Sequence, residues 1–266
     1  MSRRTRLDAE LVRRGLARSR AQAAELIEGG QVLVFGQAAA KPATQVDLDA
    51  PISVERIEDE PGFASRGAHK LAGALAVFGD LAVAGRRCLD AGASTGGFTD
   101  VLLRAGAAHV VAVDVGYGQL AWQLRTDPRV TVLDRVNVRN LEPGQVAPPP
   151  EVVTADLSFI SLTQVLPALV RCAAEDADLV LMVKPQFEVG RKLVGSGGVV
   201  RDPDLRAGAV AAVARAGLDL GLGVRGVTAS PLPGPSGNVE YFLWLRRGAP
   251  PLDEARLAQA VAEGPQ

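Results

Sequence analysis

The chain has 266 residues, of which 47% are hydrophobic, 22% are charged and only 4% are aromatic. This composition supports a sizeable aliphatic core and excludes a wholly disordered or collagen-like chain. The formal net charge is −1, so any surface that binds nucleic acid must be local and not a property of the whole molecule.

The two cysteines and the N-terminal residues indicate the cellular compartment of the protein. Cys88 and Cys172 are far apart in apolar surroundings and form neither a disulfide framework nor a zinc-ligand spacing, which favours a reducing compartment. The arginine-rich residues 1–6 lack the apolar stretch of a secretory signal, and the sequence has no uncharged apolar run of about 18 residues. We therefore expect a cytoplasmic protein that does not contact a membrane.

The first sixty residues predict a small α+β domain with a local basic surface. Apolar spacing indicates helices over residues 6–15 and 20–28, and short apolar runs indicate strands at Val32–Val34 and Ile52–Val54. Arginines crowd residues 3–20 and would neutralise RNA phosphates, although a solvated basic helix pair is the alternative. The candidate RNA-binding residues are Arg4, Arg6, Arg14, Arg18 and Arg20. This domain is predicted over residues 1–59, followed by a linker at 60–63 that contains a Pro-Gly turn signal.

Strands alternate with helices after the linker, which predicts a doubly wound, Rossmann-like α/β sheet. The predicted strands are residues 87–91, 109–115, 130–136, 152–157, 178–183, 226–229 and 239–245. The predicted helices are residues 65–78, 96–105, 118–125, 162–174 and 204–220. The second domain is therefore expected over residues 64–248, with a C-terminal tail at 249–266 that carries a short helix.

A glycine-rich turn follows the first predicted strand of this domain. Gly92 allows a tight turn, and Gly96 and Gly97 are expected to let the backbone approach a ligand at the start of the next helix. Asp114 ends the second strand, where a carboxylate can accept hydrogen bonds from ribose hydroxyls. Asp90, just before the turn, suits an amino-acid-bearing ligand better than a pyrophosphate, so S-adenosylmethionine fits. The alternative is a structural glycine turn in another α/β enzyme.

Four charged residues are expected at one edge of the sheet. Asp156 and Lys184 end predicted strands, and functional groups gather at the carboxyl ends of parallel strands. Lys70 lies near the start of a helix that returns to the first strand, and Glu240 lies at the start of the last strand. If that helix and that strand run antiparallel to the others, both residues reach the same edge. A lysine there could accept the proton of a ribose hydroxyl, and the reaction would need no metal.

Each of these four residues also has an ordinary structural interpretation. Lys70 alone suits a solvated helix, Asp156 a cap of the next turn, and Glu240 a partner for a surface arginine. Lys184 is different, because a lysine that ends a buried apolar strand needs a partner or a task. The hypothesis therefore depends on their convergence.

The motifs together resemble the haemolysin A/TlyA family of ribosomal RNA 2′-O-methyltransferases, which place an FtsJ-like catalytic domain behind an S4-type RNA-binding domain. The resemblance covers about residues 5–247, in the segments 7–20, 24–32, 65–71, 89–99, 156–161, 183–188 and 234–240. The interdomain linker departs from relatives that carry an Arg-Ala-Trp sequence, because Glu60-Pro-Gly-Phe63 stands here. Linker-dependent regulation is therefore not carried over.

The resemblance implies specific roles. It implies a tetrad of Lys70, Asp156, Lys184 and Glu240, with Lys184 as the base, and cofactor contacts around Gly92, Ser94, Gly96, Asp114 and Asp134. It also implies methylation of a cytidine ribose on ribosomal RNA or on assembled ribosomal subunits.

Two alternatives accompany this interpretation. One is a non-catalytic RNA-binding or ribosome-assembly factor that uses a methyltransferase-like scaffold. The other is a membrane-lytic toxin, which the sequence does not favour because it has no amphipathic β-hairpin and no apolar helix of membrane length. Nothing in the sequence indicates an obligate protein partner.

Overall fold

The computed structural model describes residues 4–17, 20–28, 30–39, 41–54 and 62–265. The chain divides into two compact units, residues 1–62 and 63–266, and each unit is described by itself. Of the predicted linker at residues 60–63, only Gly62 and Phe63 belong to the described residues. Among the helices of the described ranges, none is both long and apolar enough to cross a lipid bilayer.

The first unit is a small α+β fold. Its described part holds two helices, α1 (Leu7–Arg13) and α2 (Arg20–Glu28). Its strands are β1 (Arg4–Arg6), β2 (Val32–Val34), β3 (Gln37–Ala38), β4 (Gln45–Asp47) and β5 (Ile52–Val54). Strand β1 pairs with β4, and β2 pairs with both β3 and β5, all antiparallel. The core packs the apolar faces of both helices against Val32 and Val46, as burial of an amphipathic stripe requires.

The second unit is built on a mostly parallel sheet. Within residues 63–265, all of which are described, the seven strands have the order β11-β12-β10-β9-β6-β7-β8. They are β6 (Arg87–Ala91), β7 (His109–Asp114), β8 (Val130–Asp134), β9 (Val152–Ala155), β10 (Asp178–Val183), β11 (Leu222–Ala229) and β12 (Tyr241–Arg247). Strands β6 to β10 are parallel, whereas β12 runs antiparallel to both β10 and β11. The predicted doubly wound sheet with an antiparallel last strand is confirmed.

Helices cover both faces of this sheet. They are α3 (Gly67–Val77), α4 (Gly97–Arg104), α5 (Trp122–Arg125), α6 (Pro143–Val146), α7 (Leu162–Cys172), α8 (Pro185–Glu188), α9 (Pro203–Asp219) and α10 (Glu254–Glu263). Helices α3 and α4 lie over one face, and α7, α9 and α10 lie over the other. The expected C-terminal tail therefore contributes to the core, because Leu257 and Val261 of α10 are buried there.

Candidate active site at the carboxyl edge of the sheet

The glycine turn joins the carboxyl end of β6 to the start of α4. Gly92 has φ +87° and Gly96 has φ +99°, a region that favours glycine. A Cβ atom at Gly92 would collide with the carbonyl oxygen of Asp156, so glycine here lets the turn lie against the end of β9.

Gly96 and Gly97 also allow close packing within the protein. A side chain at Gly96 would meet Leu120 and Leu124, and one at Gly97 would meet the Ser65 hydroxyl and the Ala68 amide. The absence of a Cβ atom at Gly97 therefore lets the start of α3 pack closely against the start of α4. The predicted approach of a ligand to the backbone of these glycines stays a prediction.

Asp90, the last residue but one of β6, is fully buried with an unpaired oxygen. Its Oδ2 accepts a hydrogen bond from Thr99 Oγ1 at 2.7 Å, whereas Oδ1 has no hydrogen-bond partner among the described residues. Burial raises the pKa of this carboxyl to about 7, the Thr99 hydrogen bond opposes that rise, and the charge of Asp156 adds to it. A buried acceptor without a donor is costly, so this atom could be paired by a bound cationic group.

Asp114 ends β7 beside the glycine turn. Its Oδ2 accepts a hydrogen bond from the Ser94 amide at 2.8 Å, and its Oδ1 accepts one from the Gly116 amide at 2.6 Å. Each carboxylate oxygen has a second lone pair, so Asp114 retains acceptor capacity. Asp114 thereby fixes the loops that follow β6 and β7.

Asp134 lies beside Asp114, because the two residues are partners in the pairing of β7 with β8. Its Oδ2 lies 3.0 Å from Arg125 Nη1 and accepts a weaker hydrogen bond from the Gly118 amide at 3.3 Å. Asp134 is therefore an ion-paired residue at the far end of the same edge.

The four predicted charges form two short ion pairs. Lys70 Nζ lies 2.6 Å from Glu240 Oε2, and both side chains are buried. Lys184 Nζ lies 2.6 Å from Asp156 Oδ1 and also donates a hydrogen bond to Ser158 Oγ at 3.1 Å. The Asp156 side chain is 25% exposed, so this second pair reaches the surface while the first is closed.

The sheet register explains why these pairs meet. Val183 of β10 and Tyr241 of β12 are partners, so the residues next to them at this edge, Lys184 and Glu240, lie side by side. Asp156 follows β9 and donates its amide to the Ala91 carbonyl at 3.0 Å. The start of α3 reaches the same place, because a Cβ atom at Gly67 would lie 4.0 Å from Asp156 Oδ2. Four elements therefore bring the four residues to one edge.

An aromatic pair beside Lys184, in which Phe159 is exposed and Phe187 is half-buried, was not predicted from the sequence. Phe159 is 91% exposed and has φ +65°, a strained conformation for a residue other than glycine. Its ring centroid lies 5.2 Å from that of Phe187, which follows Lys184 by three positions. Hydrophobicity alone predicts that both rings are buried, so the sequence carries no signal for this arrangement.

The candidate RNA-binding arginines of the first unit are held by acidic residues. Arg4 Nε lies 3.3 Å from Asp47, while Arg6 and Arg20 both bind Asp8. Arg14 binds Glu10 and two backbone carbonyls. Arg18 lies outside the described residues.

Two known protein families match this chain. Residues 63–247 match the family described as FtsJ-like methyltransferase, and residues 5–52 match the family described as S4 domain. The first match spans more than half of the chain, so the protein is a member of the FtsJ-like methyltransferases with an S4 domain in front.

Individual relatives show to which family within the FtsJ-like methyltransferases the chain belongs. The Mycobacterium tuberculosis protein named 16S/23S rRNA (cytidine-2′-O)-methyltransferase TlyA is 62% identical over 271 residues, which is 100% of both chains. Hemolysin A of Brachyspira hyodysenteriae is 37% identical and covers 89% of this chain and 98% of its own. A solved structure named for a hemolysin, from Streptococcus thermophilus, is 36% identical with a TM-score of 0.78, over 99% of this chain and 96% of that chain. The chain belongs to the haemolysin A/TlyA family.

Proposed function

We propose that this protein transfers a methyl group from S-adenosylmethionine to the 2′-hydroxyl of a cytidine ribose in ribosomal RNA. The proposal is carried by the two lysine–carboxylate pairs that meet beside the glycine turn. Its substrate class is supported by the name of the M. tuberculosis relative, which matches over the full length of both chains. The S4 match at residues 5–52 supports an RNA substrate.

The residues around the glycine turn suit the proposed cofactor. The ammonium of its amino-acid part would supply the donor that buried Asp90 Oδ1 lacks. Asp114 has acceptor capacity for the ribose hydroxyls, and the loop between Gly92 and Gly97 with Ser94 and Asp134 would line the rest of the site. When bound, the cofactor supplies an electrophilic methyl group on a sulfonium.

The chain's own task is to orient the ribose and to remove one proton. Lys184 Nζ, as the neutral amine, would accept the proton of the 2′-hydroxyl while the oxygen forms a bond to the methyl carbon and the bond from that carbon to sulfur breaks. A positioned base of this kind accelerates a reaction about 10²–10⁴-fold. Lys184 suits this role better than Lys70, because its partner Asp156 is partly exposed while Lys70 and Glu240 are closed in. Lys70 and Glu240 would then act as fixed charges that hold the reacting groups in line.

The pair of Phe159 and Phe187 would place the target base. A cytidine whose ribose reaches Lys184 must leave the stack of its RNA, and an unstacked base is stabilised on aromatic rings. Phe159 and Phe187 present such rings within three residues of Asp156 and Lys184.

Mapping of the modified nucleoside tests the proposal. Purified 16S and 23S rRNA and ribosomal subunits would be incubated with S-adenosylmethionine and the full-length protein, and their nucleosides analysed by mass spectrometry. We expect 2′-O-methylcytidine with the wild type and its loss in Lys184→Ala, while Lys192→Ala, at an exposed lysine of a neighbouring loop, keeps it. Methylation on a base would contradict the proposal. Binding of rRNA without methylation would favour an RNA-binding or assembly factor instead.

A further inference from the structure

We infer that Asp8 is a positioning residue for RNA phosphate: it orients the guanidinium groups of Arg6 and Arg20 as one paired anion-binding surface. The inference rests on the rRNA substrate of the proposed function. Asp8 is negatively charged, although it lies in a surface that is expected to attract RNA through positive charge.

Asp8 is a buried carboxylate with a full set of donors. It receives hydrogen bonds from Arg6 Nε at 3.1 Å, Arg6 Nη2 at 2.9 Å, Arg20 Nη2 at 3.0 Å and the Ala9 amide at 2.8 Å. The hydrogen bond from Arg6 is the main cause that holds the pKa of this carboxyl far below its usual range, and Arg20 and the Ala9 amide add to it. Asp8 is therefore charged whenever the unit is folded at neutral pH.

The two arginines meet at one atom of Asp8. Arg6 Nη2 and Arg20 Nη2 both lie beside Oδ2, although Arg6 comes from β1 and Arg20 from the start of α2. Two guanidinium groups that share one partner atom repel each other, and the negative charge of the Asp8 carboxylate between them offsets this repulsion. Their side chains are nevertheless 46% and 60% exposed, so the pair faces solvent with an excess of positive charge.

This arrangement suits a phosphate. A guanidinium is a planar fork of donors that matches phosphate oxygens when its orientation is fixed. A free arginine must lose side-chain entropy to take up that orientation, whereas Asp8 fixes both arginines before RNA arrives. Asp8 thus contributes to RNA affinity through the two arginines and not by contact with RNA.

A second carboxylate in the same helix has a different role. Glu10 binds Arg13 and Arg14, but all three nitrogens of Arg14 are engaged: Nε by Glu10, Nη1 by the Ala50 carbonyl and Nη2 by the Leu48 carbonyl. The Arg14 side chain is only 21% exposed. Arg14 therefore connects α1 to the residues after β4, and the paired surface at Asp8 is the stronger candidate for a phosphate.

The direction in which RNA affinity changes on removal of the Asp8 charge tests the inference. Asp8→Asn raises the net charge by one, so attraction by charge alone predicts tighter binding of RNA. Positioning predicts the opposite: about tenfold weaker binding and a salt slope lower by about one, as for the loss of a phosphate contact. The matched control is Asp47→Asn, which makes the same charge change beside Arg4 at an exposed ion pair, and it should bind equally well or more tightly.

The measurement is the affinity of the full-length protein for purified 16S and 23S rRNA over a range of salt concentrations, without methyl transfer. Asp8→Asn should have no effect in a background of Arg6→Ala with Arg20→Ala, because it acts through those residues. An Asp8→Asn protein that binds as tightly as Asp47→Asn would overturn the inference.

A second variant covers the case in which Asp8→Asn does not fold. Arg6→Lys with Arg20→Lys keeps both charges but removes both forks, and should also weaken binding about tenfold. The control Arg129→Lys, at a surface ion pair of the second unit, should change binding less than about twofold. Equal affinity of the lysine pair and the wild type would overturn the inference. Because only binding is measured, a protein that binds rRNA in this way but does not methylate it would refute the proposed function alone.

Discussion

Strand β10 has a buried charge at each end, and the two ends are built differently. At the amino end, Asp178 accepts hydrogen bonds from Arg86 Nη1 at 2.7 Å, Trp244 Nε1 at 2.8 Å and Arg246 Nη1 at 3.0 Å. At the carboxyl end, Lys184 has one carboxylate and one hydroxyl partner, and neighbouring Asp90 has an oxygen without a partner.

The two ends of β10 show that burial of a charge does not by itself mark a functional site. Asp178 is saturated by donors, so it locks the amino edge of the sheet. The carboxyl edge leaves hydrogen-bonding capacity unused, and buried polar atoms without partners are uncommon unless a ligand or a function accounts for them.

Lys184→Arg, at the carboxyl end of β10, should have the largest effect on methyl transfer, whereas an exchange at the amino end should have almost none. Lys184→Arg keeps a cation near Asp156 but cannot release its proton, so methyl transfer to rRNA should fall about 10²–10⁴-fold. The reverse exchange at the other end, Arg86→Lys, should leave activity within about twofold of the wild type, because Asp178 keeps its other donors. Incorporation of labelled methyl groups measures both, and a Lys184→Arg protein with more than about a tenth of wild-type activity would show that Lys184 is not the base.

Removal of the charge at the amino end should change stability instead. Asp178→Asn removes the negative charge and one of the two carboxylate oxygens that hold two arginines and an indole, so the free energy of unfolding should fall by about 3 kcal/mol. Urea unfolding measures this change. The control Asp127→Asn, at a more exposed ion pair with Arg129, should cost less than about 1 kcal/mol. If both variants lost a similar free energy of unfolding, the buried cluster at Asp178 would not differ in stability from a surface ion pair.

Truncation of the exposed aromatic residue should weaken the substrate complex. Stacking of one base contributes about 1–3 kcal/mol, so Phe159→Ala should raise the KM for rRNA roughly five- to 150-fold. Its unfolding midpoint should not fall, since the ring is almost fully exposed. Val77→Ala, at another exposed apolar residue, is the control and should leave the KM unchanged. An unchanged KM in Phe159→Ala would exclude a stacking role.

The unpaired carboxyl at the edge should make cofactor affinity depend on pH. Burial raises the pKa of Asp90 from 3.8 to about 7 in the unliganded protein, so its contribution to stability is lost as pH rises through that interval. A cationic ligand favours the ionised form. Affinity for S-adenosylmethionine should therefore fall up to about tenfold per pH unit below about pH 7 and level off above it.

Calorimetric titration of S-adenosylmethionine at several pH values checks this dependence. The Asp90→Asn variant should bind more weakly and with a flat profile, because its side chain does not ionise. A flat profile in the wild-type protein would show that Asp90 does not face the cofactor's ammonium.

Much of the second unit could be predicted because its strands are long and apolar. Strands β6, β9 and β10 lie within two residues of their expected ends, and the rule that parallel strands gather function at their carboxyl ends brought Asp156 and Lys184 to one edge. The short strands β1, β3 and β4 were missed, because two or three residues show no periodicity. The helix expected over residues 118–125 forms only at Trp122–Arg125.

The finer features of the site depend on contacts that no local pattern encodes. Which lysine pairs with which carboxylate follows from the register of β10 with β12 and from the approach of α3. The packing of Leu124 against Gly96 and of Ser65 against Gly97 is a second requirement for glycine that the sequence did not indicate. The exposure of Phe159 contradicts its hydrophobicity, and such conflicts concentrate at functional sites.

Single-turnover methyl transfer to rRNA, with the cofactor saturating, isolates the step in which the 2′-hydroxyl loses its proton. The wild type should form 2′-O-methylcytidine in one phase, whereas Lys184→Arg should be slower by about 10²–10⁴-fold because its guanidinium does not accept a proton. A Lys184→Arg rate within about tenfold of the wild type would contradict a base at Lys184, because the proton would then be accepted by another group.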